Sequence, residues 1–328
     1  MNKILFRCDS SRVKGTGHVA RSLALAEVFA FNGWEITFSG EFEDPKWILD
    51  LLNKIENISI EEPAITIQQN KDYEVIVLDS YDFEIGEVEE FSKLGELIIY
   101  IVDDISPSVK ADIYVSTLPV QFLPQFRFVN RCLFGLEYAL IRKELISNNY
   151  EKALTGSNDK KTLGIFTGGS ANKDFLVIIL NQIVPKLMNW NIKIFSENID
   201  LENIGNLNVN LKFISPKPNF YDELNDVNLV ISPASVSSWE FISMGLPLAV
   251  YGIYQNQKAA YEFIVNRGYA EGLGFVENYK EFKLNENELK IAIDKISNDR
   301  LGENQPKKII DGNGPNRIYE EVIKMISN

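Results

Sequence analysis

The chain has 328 residues, 45% of them hydrophobic and 24% charged, which suits two folded domains, each with its own core, and excludes a disordered protein. A formal net charge of −13 argues against a general nucleic-acid binder and against a protein held on an anionic membrane by a basic face. No apolar run reaches bilayer length, and Met1–Ile4 leads into a strand-like run without a signal-peptide pattern, so a cytoplasmic location without stable membrane association is expected.

Along the chain, short β-type runs alternate with helical stretches. Lys3–Arg7, Glu35–Ser39, Glu74–Leu78 and Leu97–Val102 read as strands, and His18–Phe31 and Glu84–Leu94 as helices. The stretch NNYEKALTGSNDKK at Asn148–Lys161 is polar and reads as a linker. Alternation then resumes. Strands are predicted at Thr162–Phe166, Ile192–Phe195, Val209–Phe213, Leu229–Ile231 and Leu248–Tyr251. Helices are predicted at Asn172–Asn189, Tyr221–Leu224, Ser237–Met244, Gln257–Arg267 and Pro315–Ile326. The pattern implies an α/β protein of two Rossmann-like domains, residues 1–150 and 158–328, facing across a cleft, with the last helix crossing back onto the first domain.

Two segments concentrate candidate chemistry. In FRCDSSRVKGTGHVARSLALAEVF, a strand ends near Arg7 and a loop with Gly15 and Gly17 leads to His18 at a helix start. His18 is the chain's one histidine. A helix N-terminus favours the neutral imidazole that a general base needs, so catalysis outweighs a purely structural role. Arg7, Arg12, Lys14 and Arg21, against the single acid Asp9, form a basic loop on an acidic protein and suggest a local anion site. The glycines lack the third member of the dinucleotide fingerprint and the Gly-Lys-Ser/Thr ending of a P-loop. With no second histidine and no spaced cysteines, a histidine-rich metal site is not expected, and no cofactor is called for. Cys8 and Cys132 read as small buried hydrophobes.

In SPASVSSWEFISMGLPLAVYGIYQNQ, a strand ends in a hydroxyl-rich turn and a helix begins with Glu240 in its first turns. Ser235, Ser237 and Ser238 put hydroxyls where the helix puts N–H groups, a combination suited to a diphosphate. Simple N-capping accounts for one serine, not for the run, nor for the Asn256–Gln257 pair beyond the next strand.

With these segments in view, the sequence resembles the GT-B-fold nucleotide-sugar hydrolase family of pseudaminic-acid biosynthesis and its relatives among spore-coat polysaccharide proteins. The marks are FRCDSSRVKGTGHVARSLALA, VLDSYDF around Asp79 and Tyr81, VDD at Val102–Asp104, GLEYALIRKE at Gly135–Glu144, and TGGS with Gly168 and Gly169. ASVSSWE with its following NQ, and DGNGPNRI at Asp311–Ile318, complete the set. The resemblance implies removal of UDP from a 2,4-diacetamido-2,4,6-trideoxy sugar by water attack at the anomeric carbon with inversion. It implies that His18 activates the water, that Tyr81 lies in the active site, and that Glu240 and Asn256 hold the uridine nucleotide or sugar. The UDP-sugar is then the principal partner, beside other enzymes of the sugar pathway. Two departures bear on the sugar. YVSTLPVQFLPQFRF carries no asparagine where the family tends to, and Ala171–Asn172 follow GGS where an Asp is frequent. A glycosyltransferase of the same fold is the chief alternative. It would require an acceptor surface, for which Leu118–Phe128 is the one candidate, and that stretch reads better as a buried or lid loop. A scaffold protein would lack the base, and an epimerase would carry a wider spread of carboxylates or a second histidine.

Overall fold

The computed structural model describes the chain except residues 12–13, 43–46, 62–72, 82–84, 92, 104–109, 127–130, 148–159, 169–172, 188, 197–208, 216, 218–219, 298–309 and 328. It divides into two compact units, Met1–Lys143 with Ile309–Asn328, and Glu144–Lys308.

The first unit carries strands β1 (Lys3–Cys8), β2 (Glu35–Ser39), β3 (Ile58–Glu61), β4 (Tyr73–Asp79), β5 (Gly95–Ile101), β6 (Ile113–Ser116) and β7 (Cys132–Phe134). They form one sheet of order β3-β2-β1-β4-β5-β6-β7, parallel throughout. Helices α1 (Gly17–Phe31), α2 (Trp47–Leu52) and α3 (Ile85–Phe91) fall within crossovers, and α4 (Lys143–Ser147) starts at the unit's last residue. Central strands of a parallel sheet are covered on both faces, which is why β1 and β4 are continuous apolar runs rather than alternating ones. Ile4, Leu5 and Phe6 are all fully buried, and Phe6 stacks on Phe38 of β2 with ring centroids 4.9 Å apart.

The second unit repeats the plan with β8 (Thr162–Phe166), β9 (Asn191–Phe195), β10 (Asn210–Ile214), β11 (Leu229–Pro233), β12 (Leu248–Gly252) and β13 (Glu271–Phe275) in the parallel order β10-β9-β8-β11-β12-β13. Its helices include α5 (Lys173–Ile183), α6 (Val236–Met244), α7 (Lys258–Asn266) and α8 (Glu286–Ser297). Both sheets reverse their winding beside the first strand, between β1 and β4 and between β8 and β11. The carboxyl ends at such a switch point are where open α/β sheets bind ligands.

Strands β3, β6, β7 and β13 carry no sequence signal strong enough for the reading above, which also passed over helix α8 although Leu289, Ala292, Ile293 and Ile296 recur at helical spacing there. The first three are three or four residues long, β3 is only half-buried, and β13 contains two glycines. Helix α9 (Gly314–Ile326) clusters with the first unit rather than with Glu144–Lys308, the unit that precedes it in sequence. It packs on α1, where the Tyr319 ring meets Phe29 edge-on at 5.0 Å. The expected linker lies outside the described residues for 148–159, and the division falls between Lys143 and Glu144. In the stretch 118–128, Leu118, Leu123 and Phe126 are buried, with Phe126 against Tyr114 and Phe134, and Val120 is exposed. Arg127 and Phe128 lie outside the described residues. No helix among the described residues is long and apolar enough to cross a membrane.

The start of α9 is locked by DGNGPNRI. Arg317 donates to both carboxylate oxygens of Asp311, at 2.8 and 2.6 Å, and to the Glu137 carbonyl at 2.9 Å. Gly314 lies so close to the turn after β7 that a Cβ there would sit 2.8 Å from the Tyr138 carbonyl carbon. Gly314→Ala should therefore lower stability by about 1–3 kcal/mol, read as a fall in the urea unfolding midpoint, although alanine is the better helix former.

Candidate active site

In the first unit the site grows from three strand ends and one helix start. Asp9 follows β1, Asp79 ends β4 with Tyr81 just beyond, Asp103 follows β5, and His18 and Arg21 lie on the first two turns of α1. Gly15 takes φ 79°, which an L side chain resists, and its N–H closes the loop on the Ser11 carbonyl at 2.8 Å. Thr16, the residue before α1, makes no side-chain cap.

Asp79 is fully buried and is the hub. Its Oδ1 lies 2.6 Å from His18 Nδ1 and accepts from Arg21 Nη2 at 2.5 Å. Its Oδ2 accepts from Arg21 Nε at 2.8 Å and from the Ser22 hydroxyl at 3.2 Å. Burial pushes the carboxyl upward, but the Arg21 charge, His18 and their hydrogen bonds outweigh it and hold Asp79 below the usual range. An ionised carboxylate only accepts, so the hydrogen-bond pattern assigns the proton to His18 Nδ1 and leaves the lone pair on Nε2. Arg21 Nη2 also lies 3.2 Å from Nδ1. Both N–H groups aim at the same Asp79 oxygen, so they are neighbours rather than donor and acceptor. The opposite tautomer would set a nitrogen lone pair against a carboxylate.

Arg21 reaches further. Its Nη1 donates to Asp103 Oδ2 at 2.8 Å, and the Tyr81 hydroxyl donates to that same oxygen at 2.6 Å. The Tyr81 ring returns to His18 edge-on, with centroids 4.5 Å apart and planes at 74°. His18 is itself buried. Beside this cluster Asp9 accepts from Arg7 at 2.6 Å, from Lys14 at 3.0 Å and from the Glu41 N–H at 3.0 Å. Asp9 is pushed up by burial but held low overall by Arg7, Glu41 and Lys14. Gly17 opens α1, and Arg12 lies outside the described residues. Cys8, buried next to Asp79, is pushed well above its ordinary value by burial and that carboxylate, so it is an inert thiol. Cys132 is half-buried, and its thiol donates to the Phe126 carbonyl at 3.9 Å.

In the second unit Ser235 precedes α6 in an extended conformation, and its hydroxyl does not cap the helix. Its carbonyl instead accepts from the Ser238 N–H at 3.0 Å and the Ser238 hydroxyl at 2.6 Å. Ser238 is thus spent locally, whereas the half-buried Ser235 and Ser237 hydroxyls have no hydrogen bond among the described residues. Glu240 is buried and accepts from the Tyr221 hydroxyl at 2.8 Å. Gln257 accepts from the Ile253 N–H at 2.9 Å, fixing the turn after β12 that presents half-buried Asn256. Gly168, φ 80°, follows β8, and a Cβ there would meet Pro233 at 3.3 Å. Gly169 lies outside the described residues.

The structure brings His18, Tyr81 and Arg21 into one cluster, with Arg7 and Asp9 alongside. It groups Ser235, Ser237, Ser238 and Glu240 on α6. The sequence reading left out Asp79 and Asp103 as site residues, although both stand in its quoted motifs. It also left out Tyr221 and Thr167. Thr167, just after β8, buries a hydroxyl that has no hydrogen-bond partner among the described residues, and so does Ser196 just after β9. The available signal was topological, since the acid at the end of β4 neighbours the end of β1 in this strand order and the acid after β5 lies one strand further on.

The fold and its two strand-end sites define a GT-B architecture. MurG of Acinetobacter baumannii superposes with a TM-score of 0.64 at 13% identity, covering 99% of this chain and 100% of that one. MnaA of S. aureus, determined with UDP, gives a TM-score of 0.67 at 12% identity, over 100% and 97%. No family model matches the chain. In sequence it is similar to the UDP-2,4-diacetamido-2,4,6-trideoxy-beta-L-altropyranose hydrolase of Campylobacter jejuni subsp. jejuni serotype O:2. The two are 25% identical over 279 residues, 81% of this chain and 97% of that protein.

Because Asp79 is held low in the fold, its contribution to stability is full above the unfolded carboxylate value of about 4 and is lost as pH falls through the lower folded value. Asp79→Asn should cost roughly 3–5 kcal/mol near pH 7, the cost of breaking a buried pair. It should also flatten the wild-type decline in unfolding midpoint below about pH 4, measured by urea unfolding across pH.

Proposed function

We propose that the protein is a nucleotide-sugar hydrolase that releases UDP from a UDP-2,4-diacetamido-2,4,6-trideoxyhexose, with inversion, as a step toward a pseudaminic-type nonulosonic acid. The observation that carries the reading is the His18–Asp79 pair. Asp79, 2.6 Å from Nδ1, fixes the tautomer in which Nε2 is a free base, and Arg21 keeps Asp79 ionised. The same division between base and orienting carboxylate operates in serine hydrolases. The likeness to the Campylobacter hydrolase supports the substrate class.

In this reading His18 Nε2 takes a proton from water as the water oxygen bonds to the anomeric carbon. The bond from that carbon to the phosphate oxygen breaks, and its electron pair leaves with UDP. UDP is a good leaving group, so a separate protonating acid is unnecessary. The α6 N-terminus with Ser235 and Ser237, and the Thr167 hydroxyl, which has no hydrogen-bond partner among the described residues, hold the diphosphate through neutral donors, with Gly168 beside them. Glu240 and Asn256 hold the uridine and ribose, with Glu240 placed by Tyr221. The proposed chemistry uses His18 as base and no metal.

Incubation with a panel of UDP-sugars, without acceptor, should release UDP, and EDTA should leave the rate unchanged. Release only when a sugar or lipid acceptor is added would assign the protein as a transferase instead. His18→Asn should cost on the order of 10²–10⁴ in kcat while leaving UDP affinity by calorimetry intact. Glu240→Ala should weaken UDP binding itself. A His18→Asn variant with near-normal turnover would remove the base assignment.

A further inference from the structure

We propose that Asp103 is the positioning residue of this site. It closes a ring of contacts that fixes both the His18 imidazole and the Tyr81 phenol, and it turns the phenol oxygen into a hydrogen-bond acceptor toward the ligand. The ring runs from His18 to Asp79, on to Arg21, then Asp103 and Tyr81, and back to the His18 ring face. One oxygen of Asp103 serves both neighbours, accepting from Arg21 at 2.8 Å and from Tyr81 at 2.6 Å. No other described residue joins the two arms of the ring.

Three consequences follow from chemistry alone. A phenol has one proton, and here it is directed at Asp103, so Tyr81 Oη meets any further group only as an acceptor. A guanidinium held between two carboxylates has a fixed plane, so Asp103 also sets how Arg21 presents itself to Asp79. An edge-to-face ring contact has a preferred geometry, so anchoring the Tyr81 hydroxyl restrains the imidazole it touches. Asp103 therefore acts on His18 by two routes, one ionic and one aromatic. Its side chain is about a quarter exposed, at 24%, whereas that of Asp79 is wholly buried, which suits a group at the mouth of the site rather than in its core.

On the hydrolase reading this has a specific meaning for the attacking water. Such a water loses one proton to His18 Nε2 and keeps the other, which it donates as a hydrogen bond to Tyr81 Oη, and its lone pair stays free for the anomeric carbon. A tyrosine free to donate would instead engage that lone pair and oppose attack. This part rests on the proposed function, whereas the restraint on His18 does not.

The single histidine allows a test without any substrate. The imidazole ¹H, ¹³C and ¹⁵N signals of the whole protein belong to His18 alone. Wild type should show the Nδ1–H tautomer. Asp103→Ala should shift and broaden these signals, Asp103→Asn, which keeps an acceptor for Tyr81, should restore most of the wild-type pattern, and the urea midpoint of Asp103→Asn should stay close to wild type. If Asp103→Ala leaves the His18 signals unchanged, the positioning claim is overturned, whatever reaction the enzyme performs.

Turnover supplies the second arm. Asp103→Ala and Tyr81→Phe should each lower kcat roughly 10²-fold, as misplacement of a reacting group does, with KM and UDP affinity changed less than about twofold. The double variant should be no worse than the poorer single one, because both remove the same device. Losses that multiply would show that Asp103 does not act through Tyr81 and would overturn the aromatic route. If no UDP-sugar is hydrolysed by wild type, the hydrolase reading and the water geometry fail together, and the His18 signals still decide the restraint.

Discussion

The first-unit site depends on burying one carboxylate without solvent. Asp79 has no exposed surface, and a lone carboxylate in that position would cost several kcal/mol or take up a proton. Arg21 makes it tolerable by supplying two N–H donors and a charge, and Ser22 adds a hydroxyl one residue along the same helix. With those contacts made, a single oxygen edge remains for His18. The imidazole has no choice of tautomer, and its free nitrogen is the one pointing away from the carboxylate. An electrostatic requirement of folding and, on the proposed reading, a geometric requirement of catalysis are met by the same four side chains.

The fold explains why these side chains can meet. His18, Arg21 and Ser22 enter on the first crossover helix, and the carboxylates come from the ends of β4, which pairs with β1, and of β5, the next strand along, though they stand about 60 to 80 residues away in sequence. Parallel pairing sets all carboxyl ends at one edge, so residues just beyond each strand are neighbours whatever their spacing. Helix α9, returning to pack on α1, fastens from outside the helix that carries His18.

Much of this was legible in the sequence, for physical reasons. Continuous apolar runs such as ILF at residues 4–6 and VIVL at 75–78 announce strands covered on both faces. The glycine loop before His18 marks a strand-to-helix turn, and a lone histidine at such a turn stands out. What could not be read was pairing across distance. VLDSYDF and VDD show acids after apolar runs, but nothing local says that Asp79 meets His18 or that Asp103 shares an oxygen between Arg21 and Tyr81. Short strands such as CLF at 132–134 were silent because three residues hold no period. At Ser235–Ser238 the sequence showed three candidate serines but not their fates. Only the geometry separates Ser238, bonded to the Ser235 carbonyl, from the Ser235 and Ser237 hydroxyls that remain available.

The basic loop takes on a different meaning once its partners are known. As sequence, Arg7, Lys14 and Arg21 look like an anion site on an acidic protein. In the structure Arg7 and Lys14 converge on Asp9, and Arg21 is shared by Asp79 and Asp103. These three cations are matched by three carboxylates, so the cluster carries little net charge among the described residues. Within the first unit these side chains therefore fix one another's orientation, each cation set against a carboxylate rather than standing open to solvent.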